Sequence, residues 1–298
     1  FTGGISSEIP AITTDVWVDP VNGMDEGNTS GSIEQPFKTI EYAMSMVYSI
    51  DPNNPVIIYV VGTINSDTES FPIIISSSVT IHGFEGNATL DARGNSSVLL
   101  IVNVDYSTVI RNLTITGGNN TDSPGGGIVF FNSNPTLTHV TISGNTTDGY
   151  GGGMYLYDSD PTFTDVTISE NSAGMSGGGV YSNFSEPIFE NVIIEYNSTV
   201  QGHGGGIYLI NSSNSTLSNV YITYNTANGV NYEVHGGGIA MDNSSPILSD
   251  VTLSYNSAVS SSYAKGGGIY CGNSYPILNR VLLHNNLAKH GGGLSLVN

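Results

Sequence analysis

Three histidines, His203, His235 and His290, each stand directly before a run of three glycines, where other segments carry Tyr150, Ser176 or Lys265. His203 and His235, in adjacent modules, would stack within metal-binding distance of each other. Read without that chemistry, the same residue is a polar corner. Tyr155, Tyr181, Tyr208 and Tyr270 recur two positions after the last glycine of their runs. They form a tentative binding face for sugars or protein, or an aromatic ladder that only stabilises stacking. The turn Asp19–Glu26 is acidic and glycine-containing but lacks the spacing of a calcium loop, so a structural Ca²⁺ there has weak support and no other metal or cofactor is implied.

The elements that must position these residues follow from the glycines. Triplets begin at Gly125, Gly151, Gly177, Gly204, Gly236, Gly266 and Gly291, with spacings of 26, 26, 27, 32, 30 and 25 residues. Self-similarity at such a period is the signature of a solenoid. Aligned on the triplets, the modules carry a proline column at Pro135, Pro161, Pro187, Pro246 and Pro276, with Ser215 in its place once. Ten residues later comes an asparagine column: Asn145, Asn171, Asn197, Asn225, Asn256 and Asn286. Length varies almost only between the asparagine and the next glycines, so that stretch is a surface loop and the rest must stack.

Apolar residues in the constant block alternate as in strands. One pair follows the glycines (Ile128 and Phe130, Met154 and Leu156) and a second set follows the proline (Leu137, Val140, Ile142; Phe163, Val166, Ile168). The step of three inside the second set breaks the alternation and predicts a bend. Three short strands per turn with tight corners cannot bury their inner face alone, so coils must stack and pair every backbone group with their neighbours. The fold class predicted is all-β: a right-handed parallel β-helix with three short strands per coil. The asparagine column reads as a structural ladder.

Ahead of the repeats, Val16–Asp19 reads as a strand. Ile40, Ala43, Met44 and Val47 follow at helical spacing, predicting a short helix that caps the first coil. The chain thus divides into an N-terminal strand and capping helix at 1–55, irregular first coils at 56–124 and regular repeats at 125–298, in one continuous solenoid.

The segments Trp17-Val-Asp-Pro-Val-Asn-Gly-Met-Asp25 and Gln35-Pro-Phe-Lys-Thr-Ile-Glu-Tyr-Ala43 resemble the start of secreted right-handed parallel β-helix proteins of the pectate-lyase-like superfamily. The Gly-Gly-Gly-Ile and Ile-x-x-Asn repeats resemble those of polymorphic outer membrane proteins and adhesin-like surface proteins. An enzyme of that superfamily implies a polysaccharide lyase, hydrolase or epimerase. Lyases there gather acids for Ca²⁺ near a basic residue, and hydrolases gather aspartates on adjacent coils. Here Arg111 and Arg280 lie some six coils apart, Lys265 and Lys289 sit in loops without an acid run, and Asp158 and Asp160 lack aligned acids in neighbouring modules. No catalytic residue is assigned. Thr141, Thr167 and Thr252 form an outward threonine column interrupted by Ile193, Tyr221 and Leu282, which argues against an ice-binding array.

Charge and composition set the remaining bounds. Twenty-five acidic residues against six basic ones give a net charge of −19, which repels phosphate backbones and anionic lipid. A single cysteine, Cys271, forms no internal disulfide, and no apolar run is long enough for direct membrane insertion. Phe1 is not an initiating methionine, which fits a processed product or a fragment. Sequons at Asn28, Asn87, Asn95, Asn183, Asn211, Asn214 and Asn243 are glycosylation candidates on an Asn/Ser/Thr/Tyr-rich surface. The reading is an extracellular or cell-surface, non-catalytic structural or adhesin-like protein. Its expected partners are other copies of itself, cell-surface proteins or glycans, with no nucleic acid. The alternative is a carbohydrate-active enzyme. Gly-Gly-Ile5 resembles a repeat start and the chain ends within a first strand, which predicts head-to-tail stacking into filaments.

Overall fold

The computed structural model describes residues 12–49, 51, 53–86 and 88–297. The chain forms a right-handed parallel β-helix of about 9 turns, with a single α-helix among the described residues. Three ladders build it. The first holds nine strands, among them Ile128–Phe131, Met154–Tyr157, Val180–Asn183, Ile207–Ile210, Ile239–Asp242, Ile269–Gly272 and Leu294–Val297. The second is the broad face of strands such as Thr136–Ser143, Thr216–Thr223 and Ile247–Ser254. The third is a narrow ladder of short strands from Asn119–Asn120 to Ser257–Ser260. All pairing among these strands is parallel and in register, Ile128 on Met154 and Leu137 on Phe163, so equivalent residues of successive modules lie one above another.

The inward columns are the alternating apolar sets. Phe130, Phe163 and Phe189 are fully buried, and the last two stack with ring centroids 5.1 Å apart. The predicted bend is a single left-handed residue in the middle of each broad-face strand: Asn112, His139, Asp165, Asn191, Asn219, Asp250 and Arg280, with φ between 45° and 60° in every case. One αL residue turns the chain sharply and restores the inward phase, which is why the apolar step there is three. A second left-handed corner precedes the asparagine column at Gly117, Gly144, Glu170, Tyr196, Tyr224, Tyr255 and Asn285.

The glycine triplets mark the closest backbone approach. Gly151 and Gly177 sit at φ 72°, where side chains are strained. A Cβ on Gly178 would lie 2.4 Å from the carbonyl oxygens of both Gly205 and Ser198, so no side chain fits between the coils.

Asn145, Asn171, Asn197, Asn225 and Asn256 are buried and form a continuous ladder. The Nδ2 and backbone N–H of Asn171 both donate to Asn197 Oδ1 at 2.9 and 3.0 Å, and the same pair of bonds links each rung to the next as far as Asn286. The remaining Nδ2 proton of Asn197 reaches the Ile168 carbonyl at 2.9 Å. Every side-chain polar atom of the column is thereby satisfied inside the wall.

The helix Ile40–Met46 buries Ile40 and Ala43 against Val16–Val18, Ile57–Val60 and Ile73–Ile75. Thr39 caps it, its Oγ1 accepting from the Tyr42 N–H at 3.1 Å. The strand at 16 ends at Val18, one residue short of the sequence expectation. At the other end Leu294–Val297 pairs with Ile269–Gly272. The Gly-Gly-Ile segment ending at Ile5, on which the filament expectation rests, lies outside the described residues, as does the sequon residue Asn87.

Two outcomes follow from the close stacking. Gly178→Ala should lower stability by about 1–3 kcal/mol, read as a fall in the thermal unfolding midpoint, because the coils must separate to admit a methyl group. In a host that glycosylates asparagine, glycopeptide mass spectrometry should find Asn145 and Asn197 bare, since both are buried and saturated with hydrogen bonds, whereas Asn28, Asn95, Asn214 and Asn243 are exposed. Sugar on Asn145 would contradict the ladder.

Candidate functional site

The tyrosine file lies on the outer side of the first ladder, in register from Tyr155 to Tyr181 to Tyr208, with Ala240 and then Tyr270 completing the column. The outward direction does not leave it open. Tyr181 and Tyr208 are only 8% exposed, while Tyr155 and Tyr270 are half-buried, because the corner residues before the glycine triplets fold over the sheet. Tyr150 packs its ring 4.7 Å from Tyr181. His203 lies 5.7 Å from Tyr208, stacks on His235 at 4.8 Å and 9°, and His235 stacks on Tyr270 at 4.2 Å. The two imidazoles bridge the interruption that Ala240 makes in the tyrosine column. The histidines and the tyrosines read as separate columns in the sequence are one aromatic spine.

Electrostatics fit a structural stack. Burial pushes the His235 imidazole down to about 4, with His203 and Lys265 adding to the effect, and burial lowers His203 as well. Glu233 Oε2 stands 3.7 Å from His235 Nε2, too far for a direct hydrogen bond and insufficient to offset burial. Burial likewise pushes the hydroxyls of Tyr181 and Tyr208 upward, out of reach of proton transfer near neutrality. Near-parallel rings also aim their nitrogen lone pairs side by side and not at a shared point. Among the described residues, no three His, Cys, Asp or Glu side chains converge to hold a metal ion.

Beside the spine opens a cleft of about 340 Å³ lined by Tyr150, Tyr181, His203, Tyr208, Tyr232 and Glu233. A larger one, about 550 Å³, lies at the cap between Asp25, Glu41, Tyr42, Asp67 and Glu69. Glu69 was not legible as a site residue. Its carboxylate reaches across 29 residues to accept from the Ile40 N–H at 2.6 Å and, weakly, from the Glu41 N–H at 3.3 Å, and burial holds it up to about 7. The acidic turn is equally committed. Asp19 accepts from the N–H groups of Val21 and Asn22, and Asp25 Oδ1 accepts from Lys38 at 2.8 Å while Thr39 Oγ1 donates to Asp25 Oδ2 at 2.7 Å. These carboxylates hold the cap together.

A second aromatic file, missed in the sequence, is exposed. Tyr196, Tyr224 and Tyr255 stack at 5.1 and 4.8 Å with interplanar angles of 6° and 4°, and are 53%, 45% and 46% exposed. Their signal was present: each directly precedes a ladder asparagine.

The chain belongs to the right-handed β-helix family, whose description, right handed beta helix region, matches residues 64–232 and 150–298. No curated protein matches it. Among solved structures it is similar to the GH136 lacto-N-biosidase from Eubacterium ramulus, at 9% identity over 90% of this chain and 68% of that one, with a TM-score of 0.33. A likeness at that level transfers neither activity nor substrate.

The spine makes a pH prediction. The His235 ring is held neutral in the fold, while in the unfolded chain it titrates near 6.5, so the unfolded state binds more protons between about pH 6.5 and 4. The contribution of His235 is full above that window and is lost as pH falls through it. Glu69 slopes the other way: its folded value of about 7 makes its contribution full below 4.5 and lost as pH rises toward 7. That opposing slope is common to the natural protein and His235→Gln, so it cancels in their comparison. Unfolding midpoints at pH 7 and 4.5 should drop by several degrees less in His235→Gln than in the natural protein.

Proposed function

We propose that this chain is a non-catalytic β-helix of the extracellular surface, a structural or adhesin-like scaffold whose partners are cell-surface proteins, glycans or further copies of itself. The observation that carries the reading is how its outward polar groups are used: they bond from coil to coil. Asn132 donates to Asn103 at 2.9 Å, Asn211 to Asn183 at 2.8 Å and Asn219 to Asn191 at 2.8 Å. Asp160 Oδ1 accepts from the Glu186 N–H at 2.6 Å, and Asn214 Oδ1 from the Ser245 N–H at 2.7 Å. Acid–base catalysis needs groups that converge on a substrate and remain available to it. This surface turns its polar groups toward stacking, and a long rigid rod with repeated faces suits presentation and adhesion. The exposed sequons and the hydroxyl- and amide-rich surface, poor in lysine and arginine, favour an extracellular setting.

One observation favours the alternative of a carbohydrate-active enzyme. The cap cleft places Glu69, with a pKa near 7, among Asp25, Glu41 and Asp67, and a carboxyl held near neutrality is what a glycoside general acid requires. Its two hydrogen bonds from the helix start weigh toward a structural role. Incubation with a panel of neutral and anionic polysaccharides, with and without Ca²⁺, should produce no new reducing or unsaturated ends. Product formation abolished by Glu69→Gln would replace the scaffold reading with the enzymatic one.

A further inference from the structure

We propose that the broad face of the coils spanning residues 188–256 is a docking surface for an extended, cationic polypeptide segment of a partner protein. The proposal deepens the scaffold reading and rests on it. In the two coils before this region the outward positions of the broad face are hydroxylic: Thr136, Thr138, Thr141 and Ser143, then Thr162, Thr164, Thr167 and Ser169. In the strands Ile188–Glu190 and Ile193–Glu195 the same columns become Ile188, Glu190, Ile193 and Glu195, with inward Phe189 and Ile194 between them. The next two coils add Tyr221, in register with Ile193, and Ile247, in register with Thr216. Ile188, Ile193, Tyr221 and Ile247 are 40–50% exposed, and the Tyr196–Tyr224–Tyr255 file borders them along the adjoining corner. These coils are stacked on both sides, so the exposure belongs to the wall itself. Exposed apolar and aromatic side chains gathered on one wall, with Ile193 directly against Tyr221 and Thr216 between Ile188 and Ile247, mark an interaction site.

Charge selects the occupant. Glu190 and Glu195 alternate with the isoleucines on the same outward face, and Glu170 sits one coil from Tyr196 at the same corner. None of them enters any of the four ion pairs found among the described residues. The cations on this face stand three coils away on either side: Arg280 is bonded to Asp250, and Arg111 shares the column of Glu190 with Thr138 and Thr164 between them. Arginines can pair with these carboxylates while their guanidinium planes lie against the tyrosines, and interleaved apolar residues cover the isoleucines. A second copy of this chain would bring another net charge of −19, and a phosphate-bearing partner would be repelled in the same way.

The probe is a synthetic peptide alternating arginine with leucine, its binding followed by fluorescence anisotropy at low and high ionic strength against a glutamate–leucine counterpart. The natural protein should bind only the arginine peptide, more weakly as salt rises. Tyr196→Ala with Tyr224→Ala should weaken binding about tenfold. Glu190→Gln with Glu195→Gln should weaken it several-fold and flatten the salt dependence. Asp122→Asn with Asp148→Asn, exposed acids near the narrow third ladder, should change nothing. Unfolding midpoints confirm that each variant is folded. Failure to bind overturns the proposal, as does an equal loss in the Asp122/Asp148 variant, which would mean diffuse attraction. Neutral oligosaccharide binding that depends on Tyr196 and Tyr224, without peptide binding, would also overturn it in favour of a glycan. None of these results bears on polysaccharide cleavage, so the scaffold reading stands or falls separately.

Discussion

The distance between successive coils constrains everything else. Parallel strands hydrogen-bond at about 4.8 Å, and every wall of the coil must keep that spacing at once. At the glycine triplets the backbones lie so close that a methyl group on Gly126 or Gly152 would meet the next coil's carbonyl at 2.4 Å. Once that spacing is fixed, each column stacks like on like. Amides of the asparagine column meet amides, phenylalanines of the core meet phenylalanines, and insertions of more than one residue are forced outward between the asparagine and the next triplet. The one-residue insertion before Ser215 is taken up by left-handed Asn211 and Ser212. The longer loops Thr226–His235 and Ser257–Lys265 obey this, adding the short paired strands Val234–His235 and Ala264–Lys265 outside the coil.

Columns made legible in this way could be read from the chain alone. The triplets, the asparagine ladder and the alternating core each rest on a spacing that stacking keeps constant, and the capping helix with Ile40 and Ala43 on the helical period. The bend was visible only as a step of three. The residue that makes it varies among Asn, His, Asp and Arg, because an αL corner selects a backbone angle and only weakly a side chain. The convergence of His203 and His235 onto the tyrosine file was not legible, because it depends on how variable-length loops fold over the sheet. Glu69 was hidden for a different reason: its partners are backbone N–H groups at Ile40 and Glu41, which leave no trace in residue type.

The two tyrosine files show how column position decides role. Tyr181 and Tyr208 point outward from a flat strand, where the corner residues ahead of the glycines cover them. Their rings therefore add buried apolar area to the wall. Tyr196, Tyr224 and Tyr255 occupy the left-handed corner itself, with no neighbouring loop above them. Gly117 and Gly144 meet the same backbone requirement in earlier coils without strain. A non-glycine residue there costs about 1–2 kcal/mol, and each ring pair returns about 0.5–1.5 kcal/mol. Cost and return are of similar size, so folding alone gives tyrosine little advantage over glycine at this corner. The outward isoleucines beside them tilt the balance further, since 40–44% exposure of Ile188 and Ile193 forgoes burial that the earlier coils never sought with threonine. A side-chain choice that stability leaves nearly neutral, repeated in three successive coils beside exposed apolar residues, is what the proposed docking surface requires.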